Sequence, residues 1–573
     1  MKSVFLAAAG QLPADFANVY IGILRFAAPL LIGFILYRCA KPLLSFRLEP
    51  EIWGLLRLPD GSALPVTHWE NVIGRDKHSD IVIDLPTISR NHAVLTRYDD
   101  GSWTISDANS KGGVFVNDEQ IDICPIEPGD LINLGGLDLE LEPISDRQAA
   151  KLAQMRTKAS SGFVSMLNLM ILTLFQMMCI LAFLVNGGDE TAGSVLLGFG
   201  GIIAAQWALL LFYASIRRSS FEVETIAFLL CTLGMCVICA TAAGEAFKQL
   251  VAMIIGLGAF LFIGWSLRDL ERAKQVRYLA TVAGIGFLVI TLLFGKEIYG
   301  AKNWLIIGGY SIQPSELSKV CFVFAGASTM DRIMQKRNII LFIGYSAVLC
   351  CLLALMNDFG TALVFFVAFL SIAYMRSGSV GTIALAVFSL IFAGVLVLKI
   401  APHALSRFAT WRHIWEDPYD GGFQQTRSLM CIAAGGFFGL GAGNGWMKQM
   451  FASDTDIVFA TIAEEWGLIC AFLMVGCIAV LAVFCLRSAG MGRSSFYTIG
   501  ACTSASILLI QTILNVMGTL DLLPFTGVTF PFVSNGGSSM ISAWALMAFV
   551  KAADTRQNAS FAIRIKRNRE VRR

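Results

Sequence analysis

The sequence predicts a polytopic α-helical membrane protein with a small all-β sandwich inserted after its first span. Of its 573 residues, 56% are hydrophobic and 15% charged, and the mean hydropathy is +0.66. Soluble domains carry about 25% charged residues, so most of this chain cannot face water. One stretch near the N-terminus breaks the pattern with short alternating segments and frequent turn residues. The net charge of +3 is too small to point to nucleic acid.

The first apolar stretch runs from Val19 to Tyr37. It has almost no positive segment before it and no small-residue cleavage site after it, and Arg38, Lys41 and Arg47 follow. Residues 1–50 therefore read as an uncleaved anchor whose C-terminal end is cytoplasmic. From residue 51 to 143 the character changes. Ile81-Val82-Ile83, Ala93-Val94-Leu95, Trp103-Thr104-Ile105 and Val114-Phe115-Val116 alternate with Asp, Asn, Gly and Ser, as in a sandwich of short strands. A linker over 144–162, charged from Asp146 to Lys158, leads back to the membrane.

Two further spans are expected within 163–223, near 163–186 and 194–214. A larger membrane unit covers 224–553, with spans near 224–241, 249–266, 276–294, 317–331, 338–356, 360–376, 381–400, 459–486, 497–518 and 537–553. With the anchor this makes about thirteen spans. Residues 554–573 form a basic tail.

Charge asymmetry orients the bundle. Arg217-Arg218, Arg268 to Arg277, Arg332 to Arg337, Arg376, Arg487 to Arg493 and the tail share one side, which the positive-inside rule makes cytoplasmic. Asp189-Glu190, Glu245, Lys296 to Glu316 and the long segment over 401–458 face outward, and the sandwich lies inside. That long segment, with Trp411, Trp415, Trp446 and many glycines, exceeds an ordinary connector and reads as packed on the outer face. The 14 cysteines lie mostly in apolar runs. Cys236-x-x-Cys239 has no polar ligands around it, so these thiols read as small buried hydrophobes.

Within the sandwich, Gly74-Arg75, Ser79-Asp80-Ile81-Val82-Ile83, Ser89-Arg90-Asn91-His92, Asp107 through Ser110 to Phe115-Val116-Asn117, and Gly129-Asp130 occur in order. The series resembles a forkhead-associated (FHA) domain, and the resemblance implies binding of phosphothreonine peptides. A dianionic phosphate needs a fixed fork of donors, which Arg supplies better than Lys. The resemblance assigns the phosphate to Arg75 and Ser89, assisted by Arg90 and Lys111, and makes His92 a brace for the Ser89 loop. Where many FHA domains have Asn before the second glycine, to hold the peptide backbone, this chain reads Ser110-Lys111-Gly112-Gly113.

In the membrane unit, polar groups gather toward the outer ends of the spans. Ionisable residues there cost about 2.5–3.5 kcal/mol to insert and need a partner or a function. Glu316 and Lys319, at i and i+3, share a helix face and can form an ion pair. A lone Asp at a span boundary, such as Asp358, is more often a helix N-cap than a catalyst. The collection changes that reading. Asn303-Trp304, Gln313-Pro314-Ser315-Glu316, Lys319, Asp358-Phe359-Gly360-Thr361 and Gly422-Phe423-Gln424 occur in order. They are followed by Ala433-Ala434-Gly435-Gly436, Thr455-Asp456-Ile457-Val458-Phe459-Ala460, Glu464-Glu465-x-Gly467 and Pro531-Phe532-x-Ser534-x-Gly536-Gly537-Ser538-Ser539. This order resembles the SEDS family, which includes FtsW, RodA and sporulation relatives, over 224–553 with ten spans.

The resemblance implies a peptidoglycan glycosyltransferase that polymerises lipid II at the outer face of the cytoplasmic membrane, in division, elongation or sporulation. Its partners would be a class B penicillin-binding protein and, through the sandwich, a phosphothreonine-containing protein. Asp358 matches the family's essential aspartate and would be the base for the acceptor hydroxyl. Lys319, and more weakly Arg412, would face the departing pyrophosphate. Glu316 joins Asp358 and Lys319 in the catalytic group, and Trp304, Gln424, Glu464, Glu465 and Ser534 would shape the cavity. The family implies a divalent ion, Mg or Mn, in a share of the cationic role, although no metal motif is visible. The chain departs from the family at Asp454, usually His, and at Asn535, usually Tyr. A lipid-linked precursor transporter and an inactive FHA-bearing scaffold are the alternative readings.

Overall fold

The computed structural model describes residues 14–45, 52–77, 79–98, 101–144, 159–186, 189–268, 270–298, 300–330, 336–377, 402–489, 494–556, 559–560 and scattered residues over 381–394. The charged linker from Asp146 to Lys158, most of the span near 381–400 and the tail beyond Ser560 lie outside them. Every other expected span is helical. Among the described residues, eight helices are long and apolar enough to cross a membrane. The chain is a multi-pass membrane protein.

The first helix runs over Ala14–Leu44, longer at both ends than the apolar stretch alone. Gly162–Asn186 and Asp189–Ser215 follow the sandwich, and Glu222–Thr241, Ala246–Ser266 and Leu270–Phe294 open the larger unit. Pro314–Met330, Lys336–Leu355, Phe359–Ser377, Ser495–Thr519 and Gly537–Ala552 match the remaining expected spans.

Two elements differ from expectation. The span expected over 459–486 is two helices, Val458–Glu465 and Leu468–Ala489. Gly467 breaks it at φ +90°, and a Cβ there would sit 2.3 Å from the Phe437 carbonyl oxygen. The break lets a glycine-rich turn of the long loop press against the helix end, where Leu468 N–H donates to the Gly436 carbonyl at 2.9 Å. The loop over 296–316 is a three-stranded antiparallel sheet, Lys296–Ile298, Ala301–Ile307 and Tyr310–Ile312.

Among the described residues the sandwich has eleven strands: β1 Gly54–Arg57, β2 Ala63–Val66, β3 Glu70–Gly74, β4 Ile81–Val82, β5 Ala93–Arg97, β6 Trp103–Asp107, β7 Val114–Val116, β8 Glu119–Ile121, β9 Ile123–Ile126, β10 Leu131–Leu134 and β11 Leu137–Pro143. They form two sheets, ordered β2-β1-β11-β10-β7-β8 and β4-β3-β5-β6-β9. Alternate residues such as Leu56, Ile73, Leu95, Ile105, Val114 and Ile132 fill the space between. Pairing of β1 with β11 closes the domain on its own ends.

The sandwich touches the bundle at the start of Ser495–Thr519. Ser495 Oγ donates to Glu70 Oε2 at 2.9 Å, and Trp69 meets the Tyr497 ring edge-on at 6.3 Å. The far end of that 25-residue helix reaches the polar loops, where Asn515 Nδ2 donates to the Asp456 carbonyl at 2.9 Å. At 1.5 Å per residue Ser495 and Asn515 are roughly 30 Å apart, which puts the sandwich contact and those loops at opposite ends of the bundle.

The first and third of the N-terminal helices outside the larger unit are tied to it by a buried ion cluster. Lys551 Nζ lies 3.1 Å from Glu224, which also accepts from Tyr213 OH at 2.7 Å. Arg556 bonds Asp554 at 2.8 Å, Glu222 at 3.3 Å and the Pro42 carbonyl at 3.4 Å. Burial pushes the Asp554 carboxyl up, but the charge and hydrogen bonds of Arg556, together with Lys551, hold it below its ordinary value. Removing one partner from such a cluster leaves buried charge uncompensated, at a cost of about 3–5 kcal/mol. Arg556→Ala should therefore lower the thermal unfolding midpoint in detergent clearly below wild type. An unchanged midpoint would contradict the cluster.

Candidate active site

The three-stranded sheet, the start of Pro314–Met330 and the start of Phe359–Ser377 converge on Asp358. Asn357 turns the chain at φ +58°, and Lys302 N–H donates to the Met356 carbonyl at 3.0 Å, which pins the middle strand beside the turn. One carboxylate oxygen of Asp358 accepts from Thr361 N–H at 3.1 Å. The N-cap reading was correct, and it accounts for half of the side chain. The other oxygen faces two amides, Asn303 Nδ2 at 3.1 Å and Gln313 Nε2 at 3.4 Å. Gln313 is steadied in turn, because its N–H donates to Ser538 Oγ at 3.1 Å. Three motifs far apart in sequence thus build one carboxylate cradle. Asn303 Oδ1 is buried there with no hydrogen-bond partner among the described residues, a vacant acceptor beside the carboxylate.

Asn303, beside the expected cavity residue Trp304, is the member of this strand that turns to Asp358. Neighbouring residues on a strand point to opposite faces, so with Asn303 turned to Asp358 the Trp304 side chain leaves on the other side. Glu316 and Lys319 form a buried ion pair at 2.6 Å. The Lys319 ammonium is directed at that carboxylate, while Glu316 Oε2 is left without a partner among the described residues.

A second carboxylate carried no assignment in the sequence. Asp456 sits in the turn before Val458–Glu465, held by Asn515, whose amide also donates to the Val528 carbonyl at 2.9 Å. The strip Thr526–Val528 packs against both Asp456 and the start of the helix that follows Asp358. A Cβ at Gly360, two residues past Asp358, would touch Thr526 and Val528, and one at Gly527 would come 3.3 Å from Asp456 Oδ2. Burial pushes the Asp456 carboxyl up to about 6; Arg407 works against this and Asp454 adds to it. Arg407 also donates to the Thr526 carbonyl at 3.3 Å, so it is the guanidinium beside this strip. Arg412 is exposed, lies over the Trp411 ring at 5.2 Å, and contributes its backbone N–H to Asp521 at 3.2 Å. An Asp just before an apolar helix reads as a cap in a single sequence, so only the fold singles out Asp456.

The remaining expected cavity residues hold loops. Glu464 accepts from Trp446 N–H at 2.9 Å and Met447 N–H at 2.8 Å, and Glu465 accepts from Gly443 N–H at 3.0 Å. Both are buried and hold the glycine-rich turn, while Glu465 Oε1 has no partner among the described residues. Ser534 is buried too; it donates to the Thr455 carbonyl and accepts from Phe530 N–H. Gln424 reaches the Phe451 carbonyl at 3.4 Å.

In the sandwich, two loops are zipped together: Arg75 N–H donates to the Ser89 carbonyl at 3.0 Å and Asp76 N–H to the Arg90 carbonyl at 3.1 Å. Gly74 permits the approach, since a Cβ there would lie 2.0 Å from the Arg90 carbonyl oxygen. His92 Nδ1 accepts from Ser89 N–H at 3.1 Å, so its other nitrogen carries the proton and donates to the Gly113 carbonyl at 3.0 Å. Ser89 Oγ accepts from Lys111 N–H at 3.0 Å. Arg75, Arg90 and Lys111 are exposed around it, a basic rim on a rigid serine loop.

Residues 222–559 match the sequence profile of the FtsW, RodA and SpoVE cell cycle proteins. The chain belongs to this family. Asp358, Asp456 and the buried Glu316–Lys319 pair all fall within the FtsW/RodA/SpoVE part. The peptidoglycan glycosyltransferase RodA of Mycobacterium tuberculosis is 29% identical over 326 residues, 53% of this chain and 69% of that protein. A probable peptidoglycan glycosyltransferase FtsW of Tolumonas auensis is 32% identical over 320 residues, covering 54% and 82%. A solved chain from a peptidoglycan synthase complex that coordinates polymerisation and crosslinking is similar at 25% identity and TM-score 0.48, over 58% of this chain and 96% of that one. Residues 71–135 match the FHA domain, and the strands extend it to Gly54 and Pro143.

A divalent ion held at Asp358 would share its carboxylate with two amides. Two amide N–H groups point at the carboxylate oxygen that would ligate it, and no three His, Cys, Asp or Glu side chains converge among the described residues. No step below is routed through a metal.

Proposed function

We propose that this FtsW/RodA/SpoVE chain polymerises lipid II into glycan strands and that its FHA domain docks a phosphothreonine-bearing protein. The hydroxyl oxygen of the acceptor sugar attacks the anomeric carbon of the donor. The bond from that carbon to the pyrophosphate breaks, and the electron pair leaves with the lipid pyrophosphate. The donor is α-linked and the product β-linked, so one inverting displacement suffices. The hydroxyl proton needs a base whose acidity lies near the working pH.

The observation that carries this reading is that one strip, Thr526–Val528, packs on both the Gly360 turn after Asp358 and Asp456. Asp358 was the base on sequence grounds, but its two oxygens already serve a helix cap and two amides. Asp456, pushed up to about 6, suits the proton transfer better, and Asp358 with Asn303 suits holding the acceptor sugar. Arg407 supplies the positive charge beside the strip, and the paired Lys319 keeps Glu316 in place.

The polymerising end faces outward and the FHA domain inward in this proposal. Tyr497 OH donates to the Leu267 carbonyl at 2.7 Å, so the Arg268 loop sits at the sandwich end, in keeping with positive charge inside. A class B penicillin-binding protein would crosslink the strands. The test is lipid II polymerisation by the purified chain, alone and with a candidate transpeptidase. Strands are expected; none from folded protein with the partner bound would return the transporter or scaffold reading.

A further inference from the structure

The two family positions at which this chain departs, Asp454 and Asn535, meet each other. Asn535 Nδ2 donates to Asp454 Oδ2 at 2.8 Å, and Asn535 N–H donates to the Asp454 carbonyl at 2.7 Å. They are 81 residues apart in sequence, so packing alone brings them together. Next to them, Ser534 Oγ donates to the Thr455 carbonyl, and Gln249 Nε2 donates to the Ser534 carbonyl at 3.1 Å. The turn over 453–456 is thereby clipped to the segment over 530–539.

Each half of the clip leads to one carboxylate. Asp454 lies two residues before Asp456 on the same turn. Asn535 lies three residues before Ser538, whose hydroxyl accepts from Gln313 N–H, and the Gln313 amide faces Asp358. Asp454 and Asn535 are both partly exposed, so neither fills a hydrophobic core that would explain the pairing. A carboxylate here also needs a donor, because it stands beside the Asp456 carboxylate, with Arg407 the cation near them. The Asn535 amide is that donor.

We propose that Asp454 and Asn535 are one positioning unit that sets the spacing between Asp456 and the Asp358 cradle. The proposal rests on the reading of those two carboxylates as the active pair. Two side chains acting through a single contact give non-additive losses when each is removed.

The test uses the full chain in lipid II polymerisation, comparing Asp454→Ala, Asn535→Ala, the double alanine variant, and the swap Asp454→Asn with Asn535→Asp. Each single alanine variant is expected to lose about tenfold in kcat with KM little changed, and the double variant no more than either single one. The swap rebuilds the bond with donor and acceptor reversed and should recover most of the rate. Losses that multiply in the double variant, or single variants at the wild-type rate, would overturn the proposal. Hydrogen exchange of the same variants separates it from the polymerase reading. Asp454→Ala should speed exchange in peptides covering both 452–457 and 312–316, whether or not the protein makes strands; faster exchange in the first peptide alone would sink the link.

Discussion

Asp456→Asn should reduce lipid II polymerisation by about 100-fold or more, the usual worth of a general base. The substitution keeps the shape of the side chain, so the Asn515 bond, made to the backbone carbonyl of this residue, survives it. What is lost is the ability to take the acceptor proton. The pH profile gives an independent check. A base must be unprotonated to act, and burial pushes the Asp456 carboxyl up to about 6, so kcat should rise with pH through about 6 and fall away below it. Asp358→Asn should also suppress activity, since it presents an amide where Asn303 and Gln313 now find an acceptor. It should leave the fold intact, because Asn caps a helix about as well as Asp. A profile with its acid limb intact in Asp456→Asn, together with full loss in Asp358→Asn, would reverse the two roles and restore the base to Asp358.

Arg75→Ala should weaken binding of a phosphothreonine peptide pool to the full chain at least tenfold. Hydrogen bonds to charged groups contribute about 1.5–3 kcal/mol, and a dianionic phosphate uses more than one. The loop frame does not depend on the side chain: Arg75 N–H and Asp76 N–H still reach across to Ser89 and Arg90. The loss would therefore report phosphate recognition and not unfolding. Polymerisation by the purified variant should be unchanged, because the contact of the sandwich with the bundle is at Glu70 and Trp69, the other end of β3 from Gly74-Arg75. Calorimetric titration with phosphorylated and unphosphorylated pools decides it. Equal binding of the two pools by wild type would mean that the sandwich docks its partner without phosphate. Gly112, where many FHA domains carry Asn, makes this comparison informative.

Much of the architecture was legible in the sequence because it rests on local pattern. Long apolar runs specify membrane helices and period-two alternation specifies half-buried strands, whatever lies elsewhere in the chain. The broken span at Trp466-Gly467 was not legible, since an apolar run with one glycine reads as continuous until the Phe437 carbonyl is seen to need the space. Nor was the sheet over 296–312, whose strands are short and whose partners are each other.

By itself, then, the sequence determined a multi-pass bundle of the FtsW/RodA/SpoVE family, an inserted FHA sandwich, and the set of polar motifs from which a site had to be built. The tertiary structure decided which members of that set meet. Asp358 finds Asn303 and Gln313, Lys319 is turned to Glu316, Glu464 and Glu465 hold a glycine-rich turn, and Asp456 comes beside Gly527 in the strip Thr526–Val528. The physical reason is range. Spans and strands follow from the free energy of burying neighbouring residues, whereas a polar side chain in a membrane protein takes its role from a donor or acceptor tens or hundreds of residues away, brought within 3 Å only by packing.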